Sequence, residues 1–190
     1  MFRRPFVALA ICITALASLP VAAASAAEGD GEASFDGETI VLDDGSWDGA
    51  RACAVVADGV ECFATEAEMN AWLAAGAGAG GAAAEGQTFQ RGVLAQVATM
   101  ALSCSSTLRL YEHGGFTGRI LYFSSRAQWF NLGDYGFANK TSSFRVGACT
   151  SYMADYNNGG GGWYPGGGAF ASVGVISGSW NDRINSIYLV

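Results

Sequence analysis

The chain has 190 residues, 51% of them hydrophobic and 14% charged, with 27 glycines and a formal net charge of −7. That length holds one moderate domain or two small ones. An acidic total with scattered basic residues excludes a nucleic-acid-binding protein built on a basic face.

The N-terminus has the layout of an export signal. Arg3 and Arg4 make a basic start, residues 6–19 are apolar, and Ala24, Ser25, Ala26 and Ala27 suit cleavage near Ala27 or Glu28. The apolar run is short for a membrane span, and no later run is longer. The expectation is a secreted, soluble monomer with residues 1–27 removed and no membrane insertion. Of five cysteines, Cys12 leaves with the signal. Cys53, Cys62, Cys104 and Cys149 remain, an even number that in an exported chain argues for disulfides. Three pairings are open. Cys53–Cys62 and Cys104–Cys149 are favoured because each falls within one compositional segment. Zinc is disfavoured, because there is no CxxC pair and one histidine, His113. Charge divides the chain as well: residues 28–85 hold thirteen acids and one base, and residues 86–190 hold four acids and seven bases. The acids either keep an exported protein soluble or dock the front on the back.

Residues 28–35 are glycine-rich and acidic, and predict a disordered lead-in. Residues 38–42 predict a short strand. Residues 52–56 and 60–64 are apolar runs flanking Ala57-Asp58-Gly59, a hairpin signal, with Cys53 and Cys62 placed to bridge it. Thr65 and Glu68 have capping-box form, and Met69, Trp72 and Leu73 follow at helical spacing. Residues 66–75 therefore predict a helix. Together, residues 28–75 read as a small acidic hairpin–helix module with no recognisable activity. Residues 76–103 join it to the rest: 76–86 is a Gly/Ala linker, and 87–102 fits a helix or a strand.

Residues 104–190 turn glycine-, serine- and aromatic-rich, an all-β composition with frequent turns. Residues 111–118 read YEHGGFTG. Gly114 and Gly115 let the chain fold back, Phe116 is placed to stack on Tyr111, and Gly118 leads into the next strand. An internal repeat runs at an offset of 43 residues. Tyr111, Glu112 and Gly118 map to Ala154, Asp155 and Gly161. Phe137, Asn139, Lys140, Ser142, Ser143, Phe144 and Val146 map to Trp180, Asp182, Arg183, Asn185, Ser186, Ile187 and Leu189. Two copies of one unit predict two four-stranded Greek keys packed face to face.

Each copy ends in a polar cluster, residues 138–143 and 181–186. Their amide, hydroxyl, carboxylate and carbonyl oxygens suit a hard cation such as calcium. The same groups also suit loop backbone hydrogen bonding with nothing bound.

The hairpin YEHGGFTG and the two polar loops resemble the βγ-crystallin superfamily, in its microbial secreted branch. The resemblance covers about residues 105–190. It implies two Greek keys in a sandwich, and two calcium sites each shared between the motifs. One site would use the Lys140 carbonyl, Ser142 and Asp182, with the Glu112 or Asp155 carbonyl. The other would use the Arg183 carbonyl, Asn185 and Asn139, with the remaining hairpin carbonyl. Departures from the pattern are Ala138 in place of an Asn or Asp, Asn185 in place of a Ser or Thr, and Ala154 and Gly159 in place of the second hairpin's aromatics. The second hairpin is therefore expected to be looser. One carboxylate implies weak affinity, on the order of 10⁻⁴–10⁻³ M.

Secreted bacterial inhibitors of metalloendopeptidases share the fold and are similar at Cys104, Cys149 and residues 131–135. That resemblance implies a secreted metalloprotease as partner. The loop at 159–168 would carry Trp163 and Tyr164 as anchors, unless those rings belong to the core. A glycan-binding envelope adhesin is a third class. Catalysis is not expected, since no GxSxG, HExxH or phosphate loop is present and His113 has no nucleophile beside it. The leading expectation is a non-enzymatic extracellular domain stabilised by weakly bound calcium; the alternative is the inhibitor.

Overall fold

A computed structural model describes residues 31–76, 107–124 and 127–190. The expectations for the signal, for the linker and ambiguous segment at 77–103, and for Cys104 lie outside the described residues.

The front of the chain begins with strands β1 (Glu32–Phe35) and β2 (Glu38–Val41). They join through Asp36 and Gly37, both at positive φ (52° and 81°), the turn geometry that matches strand twist. Residues 32–35 are therefore a strand, where composition alone predicts disorder. Partners explain the difference. Ala33 pairs with Ile40 in β2, and both are buried. β1 also runs parallel to β4 (Gly59–Phe63), with Phe35 opposite Cys62. β4 forms the expected hairpin with β3 (Ala52–Val56), but Val56 pairs with Gly59, so Ala57 and Asp58 make the turn and Gly59 already belongs to the strand. Cys53 and Cys62 lie opposite one another and are bonded, with a Cα–Cα distance of 4.0 Å. Helix α1 (Glu66–Ala74) carries the full capping box. The Glu68 amide donates to Thr65 Oγ1 at 3.2 Å, and the Thr65 amide donates to Glu68 Oε2 at 3.1 Å.

The back holds β5 (Leu108–His113), β6 (Thr117–Phe123), β7 (Trp129–Asn131) and β8 (Ser143–Val146). It continues with β9 (Ser151–Ala154), β10 (Ser172–Val173) and β11 (Ser186–Leu189). One sheet has the order β10-β8-β5-β6-β3-β4-β1-β2, and the second β7-β11-β9. Each Greek key lends one strand to the other's sheet: β7 of the first joins β11, and β10 of the second joins β8.

The front hairpins continue the first sheet. β3 runs parallel to β6, with Ala52 opposite Ile120 and Val55 opposite Phe123. Four plus four strands is the sequence expectation; eight plus three are found among the described residues. The reason is that all five residues of β3 are buried, and a strand apolar on both faces needs cover on both. Met69 of α1 packs on one face with Ala52, Ala54, Tyr111 and Ile120. The other face joins the main core, where Cys53 and Val55 meet Leu121, Phe123, Phe144 and Ile187. Trp47 ties the halves together. It is fully buried, stacks on Phe137 at 5.8 Å, and donates its indole N–H to the Tyr135 carbonyl at 2.9 Å.

Candidate functional site

The candidate site is built from two folded hairpins and two loops related by the 43-residue offset. In the first hairpin Tyr111 and Phe116 meet edge to face at 5.4 Å. Phe116 sits at φ 61°, held there because its amide donates to Ser143 Oγ at 3.1 Å. The Ser143 hydroxyl in turn donates to the His113 carbonyl at 2.6 Å. In the second hairpin the Gly159 amide donates to Ser186 Oγ at 3.0 Å, and the Ser186 hydroxyl donates to the Tyr156 carbonyl at 2.6 Å. This serine staple makes the second hairpin as closed as the first, contrary to the looser geometry expected from Ala154 and Gly159. Its lost aromatics are replaced from elsewhere. The Trp129 ring lies against Gly159 where a Cβ would stand, and the Trp163 indole donates to the Gly159 carbonyl at 2.8 Å. The sequence signal for the staple was the Ser143–Ser186 match within the repeat; its role was not evident without the hairpin beside it.

The acids at the hairpin bases are committed to their own motifs. Glu112 takes a two-pronged contact from Arg119, at 3.1 Å from Nε and 2.8 Å from an Nη. Those bonds hold its carboxyl below the usual range, against a partial burial that pushes it up. Asp155 is buried, accepts the Gly162 amide at 2.7 Å and pairs with Arg183. Neither carboxylate is left for a ligand, so Glu112 and Asp155 retain only their carbonyls.

The loops cross. The Asn139 amide donates to the Ile184 carbonyl at 3.1 Å, and the Asp182 amide donates to the Thr141 carbonyl at 3.2 Å. Asn139 and Asp182 occupy matching left-handed positions, φ 56° and 52°, which Asn and Asp tolerate better than most side chains. These exchanges bring the predicted residues together in two groups.

The first group lines a cleft of about 240 Å³ formed by Glu112, His113, Asn139, Lys140, Ser142 and Asp182. Ser142 Oγ donates to Asp182 Oδ1 across the motifs at 3.0 Å. The Lys140 ammonium is turned away, donating to the Gly136 carbonyl at 2.7 Å. The hairpin residue in this cleft is therefore Glu112, and Asp155 belongs to the second group. There the Asn185 side-chain amide donates to Asn139 Oδ1 at 2.9 Å, to the Asp155 carbonyl at 2.7 Å and to the Arg183 carbonyl at 3.3 Å. Among the described residues no three His, Cys, Asp or Glu side chains gather as a metal cluster. A cation in the first cleft would rest on one carboxylate, a hydroxyl and carbonyls, a hard-oxygen set.

The strand exchange between keys, the folded hairpins and the crossed loops together decide the architecture. The two-motif unit is βγ-crystallin-like in fold. Solved βγ-crystallin structures are similar to part of the chain. A βγ-crystallin domain from Flavobacterium johnsoniae is 19% identical, covering 44% of this chain and 92% of its own, with a TM-score of 0.37. A βγ-crystallin from Ciona intestinalis is 23% identical over 44% of this chain and 99% of its own, and one from an archaeon 24% over 45% and 99%, each with a TM-score of 0.37. No family model and no curated protein matches the chain.

The candidate inhibitor loop divides within the crystallin-like unit. Tyr164 packs inward, edge to face with Phe144 at 5.4 Å and with Trp180 at 5.7 Å. Trp163 is 51% exposed and joins Trp129 and Tyr152 on the outer side of the second sheet. Cys149 is disulfide-bonded; Cys104, its expected partner, lies outside the described residues.

Proposed function

We propose that this chain is an exported, non-catalytic crystallin-like protein that binds calcium weakly in the Ser142–Asp182 cleft and is stabilised by it. The observation that carries the reading is that cleft, where a hydroxyl from one motif and a carboxylate from the other face each other across the loop crossing. A cation there would link the two Greek keys, and a ligand that binds only the folded state adds stability by mass action. At free calcium tenfold above a dissociation constant on the order of 10⁻³ M, the gain is about 1.4 kcal/mol. For a chain of this size that raises the melting temperature by roughly 3–6 °C. The test is a thermal melt in EDTA and in about 10 mM calcium, the concentration at which that gain applies. Wild type should rise with calcium, and Asp182→Ala should abolish the rise. Identical wild-type melts in the two buffers would sink the reading. The export signal read at residues 1–27 predicts recovery of the protein outside the cytoplasm.

Inhibition of a metalloendopeptidase is the second reading, supported by the exposed Trp163. Trp163→Ala should then abolish blockade of a thermolysin-like protease in an assay run below the variant's own melting temperature, since the ring also bonds Gly159. No blockade by wild type removes this reading.

A further inference from the structure

The two crossed-loop groups are related by the repeat, yet they differ at their centres. In the first, the hydroxyl of Ser142 meets one acceptor, Asp182 Oδ1. In the second, the amide of Asn185 meets three: Asn139 Oδ1, the Asp155 carbonyl and the Arg183 carbonyl. Three oxygens gathered around one point repel each other unless something positive stands between them. Here the partly positive NH₂ of Asn185 stands there. The orientation of the amide follows from chemistry, because turning it over would set Oδ1 against three oxygens with no hydrogen between them.

We infer that the Asn185 side-chain nitrogen acts as a built-in substitute for a cation, closing the second loop group so that it holds its shape without metal. The flanking groups agree with that assignment. The Asp155 carboxylate, which would otherwise supply negative charge to a cation, is neutralised by Arg183 and held by the Gly162 amide. The backbone of the loop needs no metal either, since the Asn185 amide N–H donates to the Ala154 carbonyl at 2.8 Å and the Asn139 amide to Ile184. Of the two loop groups, one is therefore an open oxygen cleft and its repeat-related twin is sealed by an amide.

This inference concerns the group not used in the proposed calcium reading, and one set of variants separates the two. Asn185→Asp replaces the donor nitrogen with an acceptor and places a carboxylate among three oxygens. Asn185→Ser, which restores the chemistry of Ser142, is the milder variant if the first does not fold. Wild type, Asp182→Ala, each Asn185 variant and the combination of each with Asp182→Ala are melted in EDTA and in millimolar calcium. Calcium is also titrated calorimetrically. The expected result is that the Asn185 variants melt several degrees below wild type in EDTA, recover in calcium, and bind one more calcium per chain than wild type. The combined variants should respond to calcium although Asp182→Ala alone does not. Asn185 variants that melt alike in both buffers overturn the inference, as does an Asp182→Ala protein that still gains stability from calcium. If wild type is indifferent to calcium while the combined variants respond, the amide substitute stands and the Asp182 site falls.

Discussion

Glu112 gives its carboxylate to the scaffold and keeps its carbonyl for the candidate cleft. Its carboxylate accepts Arg119 at both oxygens, and Arg119 reaches on to donate to the Gly45 carbonyl at 2.6 Å. The carboxyl is held below its ordinary range first by the hydrogen bond from Arg119. Its folded pKa thus lies below the unfolded value of about 4.3, so the stabilisation is complete above the unfolded value and is lost as pH falls through the folded one. Glu112→Gln should lower the melting temperature at neutral pH, with the gap from wild type closing on acidification. Melts across the acid range check this; a pH-independent gap would assign the loss to packing. Ser143 and Ser186 are the other residues whose role is defined by atoms. Each satisfies one amide and one carbonyl, so Ser143→Ala or Ser186→Ala should cost about 1–3 kcal/mol in denaturant unfolding. A loss below a few tenths would mean that water replaces the hydroxyl freely. The serines were visible in the repeat, but their partners were not, because a staple depends on φ-positive residues 27 positions away.

At the scale of elements, local chemistry was readable and its consequences were not always. The capping box, the β3–β4 hairpin and the Cys53–Cys62 bridge follow from side chains within ten residues of each other, and all three form, the hairpin turning at Ala57-Asp58 rather than at Asp58-Gly59. Replacing both cysteines by alanine should cost roughly 3 kcal/mol on the loop-entropy account. Chemical denaturation of the variant measures this, and an unchanged midpoint would mean that the sheet alone holds the hairpin. The second folded hairpin went the other way. Ala154 and Gly159 suggested slackness, yet Gly159 at φ 75° brings the backbone against Trp129. The ring that compensates lies on a different strand, beyond any reading of the hairpin's own residues.

For the whole molecule, the front half is part of the crystallin-like sheet and core. Trp47 sits at φ 54°, with Phe137 against its ring and the Arg119 guanidinium 5.0 Å from its centroid. Trp47→Ala should cost about 3–5 kcal/mol, and a hydrogen-exchange map should show protection lost on β6 and around Tyr135 as well as in the front strands. Loss confined to the front would mean that the halves fold separately. Arg109 reaches Glu66 at 3.1 Å from the edge of α1, while the joint itself is the β3–β6 ladder and apolar packing. No described helix is long and apolar enough to cross a membrane.

The order of residues determined the turns, the capped helix, the repeat and the oxygen-bearing loops, because these depend on φ/ψ preference and on neighbours a few positions apart. Tertiary structure decided the rest. It chose a parallel partner for β3, because a strand apolar on both faces has no stable state with one face in water. It sent Tyr164 inward and Trp163 outward from adjacent positions, following the alternation of an extended chain. It also made Asn185 a donor: an amide carries both a donor and an acceptor, and only the three oxygens brought to it by the crossing of the loops select the nitrogen.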